Sequence, residues 1–254
     1  MSAERLIRLL EAFRRGETET AEILSMFSRD PIENLGFARL DSHRPVRLGY
    51  PEAVLCEGKQ TEEVLHICRS LAAAGEGFIA TRTSRDQLEG LRAEYPLLQF
   101  SELGRIAHLP PSDPCTARVL GRVAIVTAGT ADLPVAEEAR LTAAALGNPV
   151  DLYADVGVSG LHRILSIQDA LRGASVVIVV AGMDGALPSV VAGLLPVPVI
   201  GVPASTGYGV AMGGLAALLA MLTSCAPGLT VMNVDNGYGA ACAATRINRL
   251  CAPD

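Results

Sequence analysis

The residues of this sequence best suited to chemistry are a cysteine at 225, aspartates at 155 and 184, and the pair His162-Arg163. Cys225 lies in Thr223-Ser224-Cys225-Ala226-Pro227-Gly228, just past an apolar stretch that reads as helix. A thiolate there is a nucleophile if a cationic neighbour or ligand lowers its pKa; without one, such a cysteine is inert packing. Asp184 is the one carboxylate in the segment AGMDGALP (181–188). It reads either as a turn residue among glycines or as a general base or metal ligand. Asp155, His162 and Arg163 share the segment DVGVSGLHR (155–163). A lone histidine is more often structural than catalytic, but an arginine beside it suits a phosphate or carboxylate.

A second set of residues suits binding. Thr127-Ala128-Gly129-Thr130-Ala131-Asp132 joins an apolar run to a helical one. Small residues let backbone N–H groups approach a phosphate, and the helix N-terminus favours its charge. Thr127, Gly129, Thr130 and Asp132 are the candidates, although Asp132 can equally cap the helix. The loop is neither a Walker A loop nor a G-x-G-x-x-G fingerprint. Gly182, Ser205 in PASTGYG (203–209) and Asp235 in VDNGYG (234–239) complete the set, with Asp235-Asn236-Gly237 also a turn signal.

These residues need elements to hold them. From residue 122 onward, strands at 122–127, 150–156, 175–180, 197–202 and 230–233 alternate with helices at 134–146, 164–172, 188–194, 213–222 and 240–250. That rhythm predicts a parallel sheet covered on both faces, with ligands beyond the carboxyl ends of the strands. All five of those ends carry glycine and polar residues. Residues 3–27 have helical spacing, broken near Gly16, and 41–51 read as a loop. Residues 53–94 suggest a small βαβ unit, and the proline-rich 110–114 a linker. The expected division is residues 1–117, a helical arm and small α/β domain, and 118–254, the site-bearing domain.

Half of the 254 residues are apolar and the net charge is −6. That balance argues against a partner held by phosphate neutralisation along a nucleic acid. The six cysteines lack the spacing of a structural zinc site. The N-terminus lacks a signal peptide's apolar run. No charged residue occurs from Gly185 to Val234, but prolines cut that stretch into pieces too short to span a membrane. A cytoplasmic location is the default expectation. So much uncharged surface also suggests a homo-oligomer.

Taken in order, GRVAIVTAGTADLPVAEEA (121–139), DVGVSGLHR, AGMDGALPSVVAGL (181–194) with PVIGVP (198–203), and SCAPGLTVMNVDNGYGAA (224–241) resemble the LarB family. These are carboxylase/hydrolases of nickel-pincer cofactor biosynthesis whose C-terminal domain is related to the aminoimidazole ribonucleotide carboxylases. GFARLDSHRPVRLGYPEAVLCEGK (36–59) is similar to that family's N-terminal region. The resemblance implies a three-layer α/β catalytic domain behind a small α/β domain. It also implies a reaction: nicotinic acid adenine dinucleotide is carboxylated on its pyridinium ring by carbon dioxide or bicarbonate, and its phosphoanhydride is hydrolysed, with magnesium expected to assist. The related purine carboxylases imply an octamer.

Thiolate addition beside the ring nitrogen makes an enamine whose neighbouring carbon attacks carbon dioxide, which gives Cys225 the role of nucleophile. Asp184 stands where the family pattern has glutamate. Ala186 stands where the purine carboxylases carry a catalytic histidine, which speaks against the competing reading, an aminoimidazole ribonucleotide carboxylase or mutase. A non-catalytic nucleotide-binding module is the reading from outside the enzymes.

Overall fold

The computed structural model describes residues 3–20, 23, 32–112 and 121–250. The chain divides into two compact units, residues 1–100 with 106–116, and residues 101–105 with 117–254.

In the first unit, helix α1 (Ala3–Arg14) precedes a hairpin of β1 (Ile32–Asn34) and β2 (Arg39–Asp41). A second helix between Gly16 and residue 27, expected from the apolar spacing, lies largely outside the described residues. The polar stretch expected as a loop contains a short helix, α2 (Arg44–Leu48). Pro45 sets the helical φ of its first turn, and Gly49 (φ 76) closes it. Then come β3 (Ala53–Leu55), α3 (Thr61–Ala73), β4 (Phe78–Thr81), α4 (Arg85–Glu94), β5 (Gln99–Ser101) and β6 (Ile106–Leu109). Capping boxes start α3 (Gln60 with Glu63) and α4 (Ser84 with Gln87). Strand β3 runs parallel to β4, as a βαβ unit requires. The sheet then continues through antiparallel β6 to β5, in the order β3-β4-β6-β5. Strands β5 and β6, with no helix between them, leave too few alternations to be seen in the sequence.

The second unit is the expected doubly wound domain. Its strands are β7 (Val123–Thr127), β8 (Val150–Tyr153), β9 (Val176–Ala181), β10 (Val199–Pro203) and β11 (Leu229–Val231). All pair in parallel, in the order β8-β7-β9-β10-β11. The helices are α5 (Leu133–Ala145), α6 (Leu161–Ser166), α7 (Gln168–Arg172), α8 (Leu187–Leu194), α9 (Leu215–Leu222) and α10 (Gly237–Leu250). The β-branched runs of β7 and β9 are buried throughout because both faces are covered. Alternate residues serve different layers. Ala124, Val126, Val177 and Val179 pack with Ile164, Leu171, Leu187 and Met221 from α6 to α9. Val123, Ile125, Val176 and Ile178 pack with Ala136, Ala139, Ala240 and Ala244 from α5 and α10.

Two helices differ from expectation. The one predicted over 164–172 is two short helices meeting at Ile167. The one predicted from 213 begins only at Leu215, after a 3-10 turn in which Met212 (φ 48) and Gly213 (φ 61) take left-handed backbone. No helix among the described residues is long and apolar enough to cross a membrane.

Candidate active site at the carboxyl ends of the strands

Strand order reverses between β7 and β9, the point where open parallel sheets bind ligands. The strand ends there are stitched together by side chains. The Asp132 carboxylate, 4% exposed, accepts from Gly129 N (2.9 Å), Gly182 N (3.2 Å) and Thr206 Oγ1 (2.5 Å). It therefore joins the loops after β7, β9 and β10. The side chain makes no cap bond to α5 itself but, by accepting the Gly129 N–H, caps the 3-10 turn Thr130–Asp132 that leads into it, so Asp132 is a cap and a brace of these loops at once. Thr206 was not singled out in the sequence, where its one signal is a hydroxyl inside a Gly-rich strand end. Gly182 must be glycine, since a Cβ there would fall 1.9 Å from Thr206 Oγ1 and 2.3 Å from Thr206 O.

On either side the pattern repeats. Thr127, fully buried, accepts the Asp155 N–H at 3.1 Å on Oγ1 and so ties β7 to the loop after β8. Arg163 Nη1 donates to Asp155 O at 2.8 Å and lies 3.0 Å from Asp155 Oδ1, while Nη2 reaches Gly157 O and Ser159 Oγ at 3.3 Å. Arg163 thus shapes its own loop, and the neighbouring His162 is exposed. Asp235 Oδ1 accepts the Ser205 N–H at 2.7 Å, and Asp235 N donates to Pro203 O at 2.9 Å, linking β10 to β11. Asn236 Oδ1 then caps α10 by accepting from Gly239 N at 2.7 Å. Buried Glu138 of α5 accepts the Tyr238 N–H at 3.1 Å at the same helix end. Neither Asn236 nor Glu138 was legible as a site-building residue.

What remains turned outward is Thr130, Ser205 and the Asp184 carboxylate, all exposed. Asp184 Oδ1 accepts the Ala186 N–H at 3.2 Å, so it is a turn residue and an accessible carboxylate at once. Asp155, Met183, Met212 and Asp235, one beyond each of β8, β9, β10 and β11, have positive φ of 58°, 53°, 48° and 55°. Left-handed backbone in residues with a Cβ is costly and gathers at functional sites. Among the described residues no group of three His, Cys, Asp or Glu could hold a metal ion. A hydrated magnesium ion, which commonly keeps waters and takes one or two carboxylates with substrate phosphates, would find the exposed Asp184 carboxylate here.

Cys225 is exposed, in the loop between α9 and β11. It follows the far end of α9, whose eight residues lead away from the strand ends over about 12 Å. It precedes Leu229, which is in register with Val199 at the start of β10. The fold brings together Thr127, Gly129, Thr130, Asp132, Gly182, Asp184, Ser205 and Asp235, with Asp155, His162 and Arg163 on the adjoining loop. Cys225 follows Ser224, whose hydroxyl accepts from Ser189 Oγ at 2.7 Å in the first turn of α8, the helix that follows Asp184.

Residues 32–111 match the LarB/PurE-like N-terminal domain, and residues 122–254 match the AIR carboxylase domain. The chain belongs to the LarB family. It is also 36% identical over 251 residues to an uncharacterized protein of Methanocaldococcus jannaschii, covering 95% of this chain and 96% of that protein. The five-stranded parallel unit is the carboxylase-type domain of this LarB family member.

Proposed function

We propose that the protein carboxylates the pyridinium ring of nicotinic acid adenine dinucleotide and hydrolyses its phosphoanhydride, yielding the pyridinium biscarboxylic acid mononucleotide and AMP. The observation that carries this reading is the state of the thiols. Cys225 is exposed in its Ser-Cys-Ala-Pro-Gly loop, whereas Cys56 and Cys68 are buried and burial pushes the Cys68 thiol well above its ordinary range. A thiol kept accessible in a carboxylase-type domain is available to a cationic ring, which in turn favours its thiolate.

The chemistry balances. The Cys225 thiolate adds to the ring carbon beside the nitrogen, forming a C–S bond and an enamine. The adjacent carbon attacks carbon dioxide, forming the C–C bond and restoring a cationic iminium. A carboxylate, Asp184 in this reading with Asp155 as the alternative, removes the proton from that carbon. The C–S bond then breaks, returning the thiolate and the aromatic ring. Water attacks the phosphoanhydride and releases AMP. The braced strand ends hold the mononucleotide through Thr130 and the backbone beside Gly129 and Gly182. No step requires magnesium held by protein.

Incubating the pure protein with nicotinic acid adenine dinucleotide, bicarbonate and magnesium, with products read by mass spectrometry, tests the proposal. AMP together with a mononucleotide heavier by one carboxylate is expected. Carboxylation of an aminoimidazole ribonucleotide instead, or no conversion of either substrate, would sink it.

A further inference from the structure

Cys225 stands in a turn that its own neighbours close. The Ser224 hydroxyl accepts the Ala226 N–H at 3.1 Å, so the two residues flanking the thiol are bonded to each other across it. A serine side chain on a nearby backbone N–H fixes a turn where no regular structure does. Thr223 Oγ1 donates to Leu219 O at 2.7 Å and ties the start of the turn to the end of α9. Pro227 has a fixed φ, and Gly228 (φ 86) takes the left-handed backbone that leads into β11. The thiol is exposed while Ser224 and Ala226 on either side of it are half-buried.

The turn is anchored outside its own segment. Ser224 Oγ accepts a second bond, at 2.7 Å, from the Ser189 hydroxyl. Ser189 is the third residue of α8, the helix that leaves the Asp184 loop. Asp184 Oδ1 accepts the N–H of Ala186, the residue before α8, so the carboxylate is bonded to the start of the same helix. Gly185 sets that start against α9; a Cβ on it would lie 2.8 Å from the Ala217 Cα and carbonyl oxygen. One turn of helix therefore carries both groups, Asp184 through Ala186 and Cys225 through the two serines. Ser189 and Ser224 are half-buried, where water could satisfy either hydroxyl, so their bond to each other is not forced by a core.

We infer that Ser189 is a positioning residue: through Ser224 it holds the Cys225 thiol in a fixed relation to the Asp184 carboxylate. The chemistry sets the need for it. The thiolate adds at one ring carbon and the proton leaves from the next, so both groups must meet the same bound ring in consecutive steps. A thiol free to swing with its turn meets the ring in a reactive pose less often. In this role neither serine touches the ring or the reacting atoms. The inference rests on the carboxylation reading.

Three variants test it, Ser189→Ala, Ser189→Thr and Ser224→Ala. In Ser189→Ala, kcat for carboxylation of nicotinic acid adenine dinucleotide is expected to fall about 10-fold to 100-fold with KM within about 2-fold of wild type. Ser189→Thr keeps the hydroxyl and should recover most of that loss. Adding Ser189→Ala to Ser224→Ala should lower kcat no further, because both changes remove the same bond. The dihydropyridine-like absorbance with NAD should fall along with kcat. Alkylation of Cys225 by iodoacetamide, read by peptide mass spectrometry, should stay within about 2-fold, since a small reagent needs no held orientation. Ser224→Ala, in a surface turn, gives the same comparison if thermal unfolding shows Ser189→Ala to be misfolded. Wild-type carboxylation with an unchanged kcat in Ser189→Ala and Ser224→Ala, a loss carried by KM alone, a loss that threonine does not restore, or additive losses in the double variant would overturn the inference and spare the carboxylation reading. A wild type that makes no carboxylated product would overturn both.

Discussion

The Asp132 carboxylate accepts the Thr206 hydroxyl at 2.5 Å, and through that bond the loops after the first and fourth strands of the parallel sheet are fixed to each other. Asp132 follows β7 at the reversal of strand order and Thr206 follows β10, so the brace holds the loops of these strand ends together across β9. Asp132→Ala leaves the N–H groups of Gly129 and Gly182 and the Thr206 hydroxyl without their acceptor. Losing buried bonds to a charged group should cost about 2–4 kcal/mol. Thr206→Val, which loses one bond, should cost about half as much. Urea unfolding followed by circular dichroism measures both, since the chain has no tryptophan. A loss under about 1 kcal/mol for Asp132→Ala would show that the brace carries little energy.

Gly237 offers a purely steric test at the other edge of the same cleft. A Cβ there would lie 2.3 Å from Val135 O and 2.9 Å from Ala139 N, both backbone atoms of α5. Helices α5 and α10 would have to move apart, and the Glu138 contact to Tyr238 N would lengthen with them. Overpacking against backbone that cannot yield should cost about 3 kcal/mol in Gly237→Ala. A thermal midpoint within about 2 °C of wild type would show that the two helices slide freely.

The sequence alone carries the second unit well and the first unit poorly, for physical reasons. Buried parallel strands such as Val176–Ala181 are uninterrupted apolar runs, and the Gly-rich ends follow because a doubly wound sheet places every ligand loop on one edge. The four strands of the first unit's sheet are all three or four residues long; β3 and β4 are marked by the capped helix between them, whereas β5 and β6, joined by a turn, carry no such mark. Most of the candidate residues fall at the carboxyl ends of the strands, where the alternation placed them, but their separate roles were not legible. Nothing in the spacing says that Asp132 turns inward to Gly182 and Thr206 while Asp184 stays exposed. That division depends on which loop lies beside which, and strand order is invisible to local pattern.

Cys225→Ala should abolish carboxylation and leave stability almost unchanged, because the thiol is exposed and its loss opens no core cavity. Cys225→Ser should fail nearly as completely, because a hydroxyl is far less ionised at neutral pH and no paired histidine activates it. With the amide analogue NAD, wild type should show a dihydropyridine-like absorbance from the ring adduct, and Cys225→Ala should not. Retained carboxylation in Cys225→Ala would require the base to act on a ring that no thiol has activated, and the covalent route would be wrong.

His108 predicts a pH dependence that has nothing to do with catalysis. It lies on β6, cross-strand from Ile79, 5% exposed, and neither ring nitrogen has a hydrogen-bond partner. Burial pushes its pKa down from the ordinary 6.5 to about 4. Between those values the unfolded chain binds a proton that the folded chain refuses, so stability rises with pH across that window. The contribution is complete above about pH 6.5 and is lost as pH falls toward 4, up to about 3 kcal/mol in all. His108→Leu removes the titrating group together with two unsatisfied nitrogens, so it should at least hold stability at neutral pH and flatten the acid limb. Urea midpoints of wild type and variant, measured at about pH 4.5 and pH 7, separate this histidine from the carboxylates, whose titration is common to both proteins. Parallel losses on acidification would mean that His108 takes up its proton in the folded state with no penalty, and that the buried neutral imidazole is not what limits acid stability.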